Sequence, residues 1–448
     1  MAKSLELTQG NIKKLIIKLS FPVFISSVFN ELYAVTNQII IGNFVSLKAL
    51  SAVSACTWIC NIFNYTFYGL GMGAGVLIAR YYGAKDKVNF KKSLDTSIIF
   101  GVVGGLILTL LSELFLPVLM RLCNIGLDIY QDAYNYLRVY LLGNTFVLTS
   151  QMCFFILRSL GDTKHQLYYS IISSIVNVLF GTIFVRFLHL DVVGTALATI
   201  ISQIVMDVLA LNTMFRYDGI DFSFKNVDFN FGLVRQICEL GIPAGFQNML
   251  IAISSMLIQS YINLFPNEVI AGIGVAQKVS NWGQILACAV AASTMSLVAQ
   301  NYGAEKYDRV QESIKESLKI SSILTIVSIV VIWIFCPGIV SLFNESPDVA
   351  YYGTQMVRYS VYGMFFVNIS HIYNGACRGA GNVKAPMVIA IAGQVIAKYL
   401  FVYIGLKISF DVRVLYIGEA FGYTVAGIFA YLYFHKSYWV LSHQLRSE

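Results

Sequence analysis

The chain has 448 residues, 57% of them hydrophobic and 12% charged, with a formal net charge of +7. A mean hydropathy of +0.68 excludes a water-soluble domain of this size, in which about half the residues are apolar and about a quarter charged. The positive balance does not mark a nucleic-acid binder either, because the cations are spread over the connections between apolar runs and form no patch.

About 20 apolar residues cross a hydrocarbon core, and the sequence predicts twelve such spans, near 15–41, 49–79, 94–120, 131–157, 165–187, 191–215, 237–264, 268–299, 316–341, 350–377, 385–406 and 411–434. The first follows Lys3, Lys13 and Lys14. It is long and lacks a small-residue cleavage site, so it reads as a span and not as a removable signal. The second carries Gly69, Gly71, Gly73 and Gly75. Inside a membrane helix with no preceding strand, these read as close helix contact or a hinge and not as a nucleotide loop.

Between the sixth and seventh spans lies the most polar long connection, Arg216 to Val234. The expected organisation is a six-helix N-terminal lobe over 1–215, a cytoplasmic linker over 216–234 and a six-helix C-terminal lobe over 235–448. Of the 31 Lys and Arg residues, 22 fall on alternate connections and termini, against five (Lys48, Arg121, Arg186, Lys407, Arg413) on the opposite side. By the positive-inside rule both termini face the cytoplasm, as befits a multi-pass protein of the plasma membrane.

The eight cysteines fall almost entirely within predicted spans and show no metal-like clustering, so core packing is their expected role. The five histidines are scattered, and no zinc-protease, nucleophile-elbow or phosphate-loop motif appears. No resident cofactor, metal centre or ATP-hydrolysing part is expected; transport would draw on an ion gradient or on the solute's own. The expected partners are a small-molecule solute and the lipid bilayer, with a monomer as the working unit and no nucleic acid.

The second half of the chain repeats the first at an offset of 220, pairing Tyr82 with Tyr302, Gly83 with Gly303, Pro117 with Pro337, Arg138 with Arg358, Arg158 with Arg378 and Gly161 with Gly381. Near the two starts, Pro22 pairs with Pro243. Six spans per repeat give both halves the same orientation, as in parallel-repeat transporters. The predicted fold class is therefore an all-α polytopic membrane protein of twelve transmembrane helices in two parallel six-helix repeats.

The segment from Leu32 to Gly42, the Ala-x-x-Tyr-Gly-Ala that ends at Ala84 and again at Ala304, the runs after Arg158 and Arg378, and Gly241-Ile-Pro-Ala-Gly-Phe-Gln resemble the multidrug and toxic compound extrusion (MATE) family. The similarity covers essentially the whole chain. It implies two lobes around a cavity that opens alternately to each side, and export of amphipathic compounds in exchange for protons or sodium ions.

The resemblance also implies an ion site in the N-terminal lobe, made of a tyrosine and an aspartate on the first span, an asparagine and an aspartate on the fifth, and a threonine on the sixth. Tyr33, Asn177 and Thr199 match it; Asn37 and Gly181 stand at the two aspartate positions. The i, i+4 spacing keeps each pair on one helix face. An amide takes up no proton near neutral pH and offers a cation a dipole in place of a charge.

A carboxylate inside a span is costly and by default functional, so Asp207 and Glu31 join the coupling candidates, whereas Glu113 and Glu419 read as interfacial. Among intramembrane cations, Arg138 and Arg358 are repeat mates, favouring a structural role with Asp128 and Asp348 over one in the cavity. Lys278 and Lys398 face Trp58 and Val178 across the repeat and are the better substrate-side candidates. A cavity short of acids and supplied with lysines would admit anionic solutes. The competing readings are a flippase or exporter of an anionic or lipid-linked precursor, and a membrane-embedded enzyme, for which no nucleophile, metal set or aspartate pair is found.

Overall fold

The computed structural model describes residues 6–122, 125–126, 128–215, 227–341 and 346–436. Twelve helical segments follow one another in these residues. They are α1 (Ile12–Phe44), α2 (Leu47–Gly83), α3 (Lys87–Ile99) continuing through the π-helical Phe100–Gly104 into α4 (Gly105–Leu122), and the pair α5 (Tyr130–Leu142) and α6 (Asn144–Ser159). Then come α7 (Thr163–Thr182) with a π-helical end at Ile183–Phe187, α8 (Asp191–Phe215), α9 (Phe231–Ile262), α10 (Asn267–Gly303), α11 (Tyr307–Ser341) and α12 (Pro347–Gly379). The last two are α13 (Lys384–Ala390), joined by the π-helical Ile391–Ala397 to α14 (Lys398–Ile408), and α15 (Val412–Lys436).

Ten of these segments are long and apolar enough to cross a membrane, and α5 with α6, bent by 46°, make an eleventh. The twelfth, α12, is the repeat mate of that pair. At 33 residues it is long enough to span, at about 1.5 Å per residue, but Arg358, Asn368, His371, Asn374 and Arg378 lower its hydropathy. Side chains such as Leu110 and Leu114, 70% and 71% exposed, show why the fold needs lipid for a solvent. The chain is a multi-span membrane protein.

The repeated motifs are the turns. Lys85 and Glu305 both take a left-handed backbone, with φ of 57° and 58°, directly after the repeated Tyr-Gly-Ala. Gly161 and Gly381, with φ of 78° and 82°, end α6 and α12 in a conformation only glycine adopts freely. Asp162 accepts from the His165 amide at 3.2 Å and its mate Asn382 from the Ala385 amide at 3.3 Å, capping the helices that follow.

Contacts divide the chain into two compact units, one built on Phe21–Gly245 and the other on Thr8–Ser20 together with Phe246 onward. The partition thus passes through α1 and α9, close to Pro22 and Pro243, where each helix lacks a backbone donor. Of the expected linker, residues 216–226 lie outside the described residues; the Asp228 and Asn230 amides donate to Asp95 and Thr96 of α3, each at 3.1 Å.

In the first unit the four alternate glycines of α2 serve two contacts. A Cβ on Gly69 or Gly73 would stand 2.4 Å from the carbonyl oxygens of Gly241 and Ile237 in α9. On Gly71 or Gly75 it would meet Phe155 of α6 at 2.8 and 3.0 Å. The stripe is a packing device. Among the described cysteines Cys56, Cys60, Cys153, Cys336 and Cys377 are buried, but Cys288 is exposed; Cys123 lies outside the described residues.

Candidate functional site

In the first unit Thr199 of α8 ties together α1 and α7. Its hydroxyl accepts from Asn177 Nδ2 at 3.3 Å, lies 3.4 Å from the Tyr33 hydroxyl, and donates to the Thr195 carbonyl at 3.0 Å. Asn177 is fully enclosed and Thr199 is 8% exposed. Asn37 reaches the same place from α1: its Oδ1 lies 4.0 Å from where a Cβ on Gly181 would be.

The Oδ1 atoms of Asn37 and Asn177 are both buried without a hydrogen-bond partner. Buried acceptors of this kind normally find one, so the cluster presents free oxygen dipoles and no formal charge. Tyr33 also lines an apolar groove of about 550 Å³ between α1 and α7, with Phe29, Leu32, Ile175, Val178 and Leu179.

Two turns along α8 from Thr199, Asp207 is 5% exposed, and its Oδ1 has no partner. Near it lies Cys153, a member of the apolar cluster that also holds Ile156, Met206 and Ala210. Glu31, by contrast, is exposed on α1.

The basic candidates take four different settings. Lys398 of α14 is buried against Glu419 of α15 in an ion pair. It is thus not an uncompensated cation, and Glu419 is largely enclosed by protein: the π-helical segment Ile391–Ala397 runs directly into Lys398. Lys278 is exposed on α10. Arg138 is paired with Glu113 at 3.9 Å, and Arg358 lies 5.4 Å over the Trp333 ring. The expected partners Asp128 and Asp348 are both exposed, so these arginines pair across to α4 and α11 instead of back along their own connections.

The arginines of the repeated motif, Arg158 buried and Arg378 half-buried, hold the frame. Arg158 Nε and Nη2 donate to Gln166 at 3.4 and 3.3 Å, and Arg378 Nη2 donates to Gln247 at 2.7 Å. Lys398 stands out in the sequence, but its pairing with Glu419 and the part of Tyr423 and Gln284 in the same polar group of the second unit do not. The signal was available, since the offset that pairs Arg158 with Arg378 also pairs Thr199 with Glu419. Among the described residues no group of three or more His, Cys, Asp or Glu side chains could hold a metal ion.

The MatE family model matches residues 22–183 and 243–404, once per repeat. The chain is 24% identical over 380 residues to "Probable multidrug resistance protein YoeA" of Bacillus subtilis (strain 168), covering 83% of this chain and 82% of that one. It is 24% identical over 400 residues to "Multidrug export protein MepA" of Staphylococcus haemolyticus (strain JCSC1435), covering 88% and 87%. The solved structure described as "Crystal structure of MATE in the bent conformation" superposes with a TM-score of 0.92 at 22% identity, covering 100% of this chain and 99% of the other. With both halves of the chain matched by the family model, the protein belongs to the MatE family.

Proposed function

We propose that the protein is a secondary active exporter of small amphipathic compounds, working by alternating access in the plasma membrane with both termini in the cytoplasm. The observation that carries this reading is that the family match falls on both repeats, while the polar interior differs between them. A shared frame with unlike interiors suits a transporter whose two halves have separate tasks. The names of the relatives, which are multidrug resistance and export proteins, support the same direction of transport.

Export is coupled to protons or sodium ions. Tyr33, Asn37, Asn177 and Thr199 offer a cation neutral oxygens only, so a proton carried in the first unit falls to Asp207. The pairing of Lys398 with Glu419 counts against an anionic cargo, since it cancels the charge that would attract one. The apolar groove beside Tyr33 suits the hydrocarbon part of an amphipathic solute.

Reconstitution into vesicles tests the reading. With a proton or sodium gradient imposed separately, one of the two should drive a dye such as ethidium uphill; movement of the dye only down its own gradient under both conditions would refute coupled export.

A further inference from the structure

Lys398 and Glu419 form the one ion pair among the described residues in which both side chains are nearly enclosed, at 10% and 17% exposure. Lys398 is the first residue after the π-helical Ile391–Ala397, and such a segment rotates the side chains that follow it. Gly422 admits its stem, for a Cβ there would stand 2.8 Å from Lys398 Cβ. Gln284 of α10 donates to the Tyr423 hydroxyl at 3.2 Å, and Tyr423 is bonded in turn to Glu419. Beyond Tyr423 lie Cys288 on α10, His371 on α12, 3.9 Å from it, and Arg378 near both.

Two features separate this pair from architecture. The repeat places Val178 and Thr199 at the corresponding positions of the first unit, where α7 and α8 pack without an ionic pair. Removing two charges from water also costs several kcal/mol per ion, and a well-packed apolar pair would hold the helices at least as well. The present occupant tells what the site fits. Glu419 faces an ammonium at the end of a hydrocarbon stem, beside a tyrosine, which is a template for an organic monocation.

We propose that the Lys398–Glu419 pair is an exchange site in which Glu419 is the counter-ion for the cationic centre of an organic solute and Lys398 holds its place when the solute is absent. A cation that pairs with Glu419 leaves the Lys398 ammonium unpaired in a medium of low dielectric, a cost relieved when the ammonium gives its proton to water. When a proton returns, Lys398 reclaims Glu419 and the cation leaves. One cation enters as one proton departs, and the site stays neutral throughout. The proposal rests on the exporter reading and assigns to these two residues of the second unit a place for the solute's cationic centre and for one exchanged proton.

The test uses the full-length protein in detergent with hexyltrimethylammonium, which has no exchangeable proton, and hexanol as the uncharged counterpart. In weakly buffered solution the wild type should release about one proton per cation bound, and none with hexanol. Lys398→Met removes the internal competitor and should bind the cation on the order of tenfold more tightly with no proton released; Glu419→Gln should bind it at least tenfold more weakly. Should a single variant not fold, the neutral double variant Lys398→Met/Glu419→Gln keeps the volume and should fold while losing both properties. Binding without proton release in the wild type, proton release that persists in Lys398→Met or in the double variant, or binding unchanged in Glu419→Gln would each overturn the proposal. Because the readout is binding, failure of the exporter reading would show separately, as vesicles that move no solute while proton release persists.

Discussion

Gly69 and Gly241 pack backbone against backbone: a Cβ on the first would stand 2.4 Å from the carbonyl oxygen of the second, and one on the second 2.6 Å from that of the first. Neither atom belongs to a flexible side chain. Gly69→Ala and Gly241→Ala should therefore each destabilise the first unit by about 1–3 kcal/mol, the usual cost of forced overpacking. Gly274→Ala, with nothing within 4 Å of the added carbon, should instead stabilise α10 by up to about 1 kcal/mol. Thermal unfolding of the purified variants separates the two outcomes.

Thr199→Val removes the hydroxyl that accepts from Asn177 at 3.3 Å and leaves a buried amide donor without a partner. The cost should be about 1–3 kcal/mol, with Thr199→Ser close to wild type. A valine variant as stable as the serine one would show that water replaces the hydroxyl.

Asn37→Asp should restore a titratable group to the polar cluster, in the space left beside Gly181, where the nearest contacts to an added Cβ are 3.7 to 4.0 Å away. Dye efflux by this variant should gain a dependence on external pH or sodium that the wild type lacks at this site. Flux measured in paired vesicle preparations at varied pH and sodium checks it.

Asp207→Asn should leave the fold intact or raise its melting temperature, because it removes a carboxyl that is 5% exposed with an unpartnered oxygen. If Asp207 carries a proton, the same variant should lose proton-driven accumulation while keeping gradient-free exchange of solute. Retention of proton-driven accumulation would remove Asp207 from the coupling step.

Asp86 caps α3, and its bonds to the Asn89 amide and side chain, at 3.0 and 2.7 Å, hold its carboxyl below the usual range. A folded-state value below the unfolded one of about 3.9 means stability that is present above that pH and lost as the pH falls through the folded value. The melting-temperature gap between wild type and Asp86→Ala should be full at pH 7 and close under acid conditions.

Much of the frame could be read from the repeat, because turns impose backbone requirements that residue types record: Gly161 and Gly381 take positive φ, and Asp162 and Asn382 cap. The α2 glycine stripe gave the fact of close contact but not its division between α6 and α9, which depends on where α9 runs. The interior was less legible for a physical reason. Glu419 lies seven residues into α15 and looks peripheral along the chain, yet depth alone does not decide burial. Its enclosure depends on the register of α14, which the π-helical Ile391–Ala397 resets, and no hydrophobic period announces such a segment. Arg138 shows the same limit, since the partner expected from the sequence was Asp128 and the partner in space is Glu113.

Lys398 and Glu419 also bear on how the chain enters the membrane. Each charge alone would oppose insertion of its helix by about 2.5–3.5 kcal/mol. Only Ser409, Phe410 and Asp411 separate α14 from α15, so the two can leave the translocon as a hairpin whose charges have already met. A variant with one charge removed would then be penalised first during synthesis, as a poorly inserted C-terminal hairpin, before any effect on the mature protein could be seen.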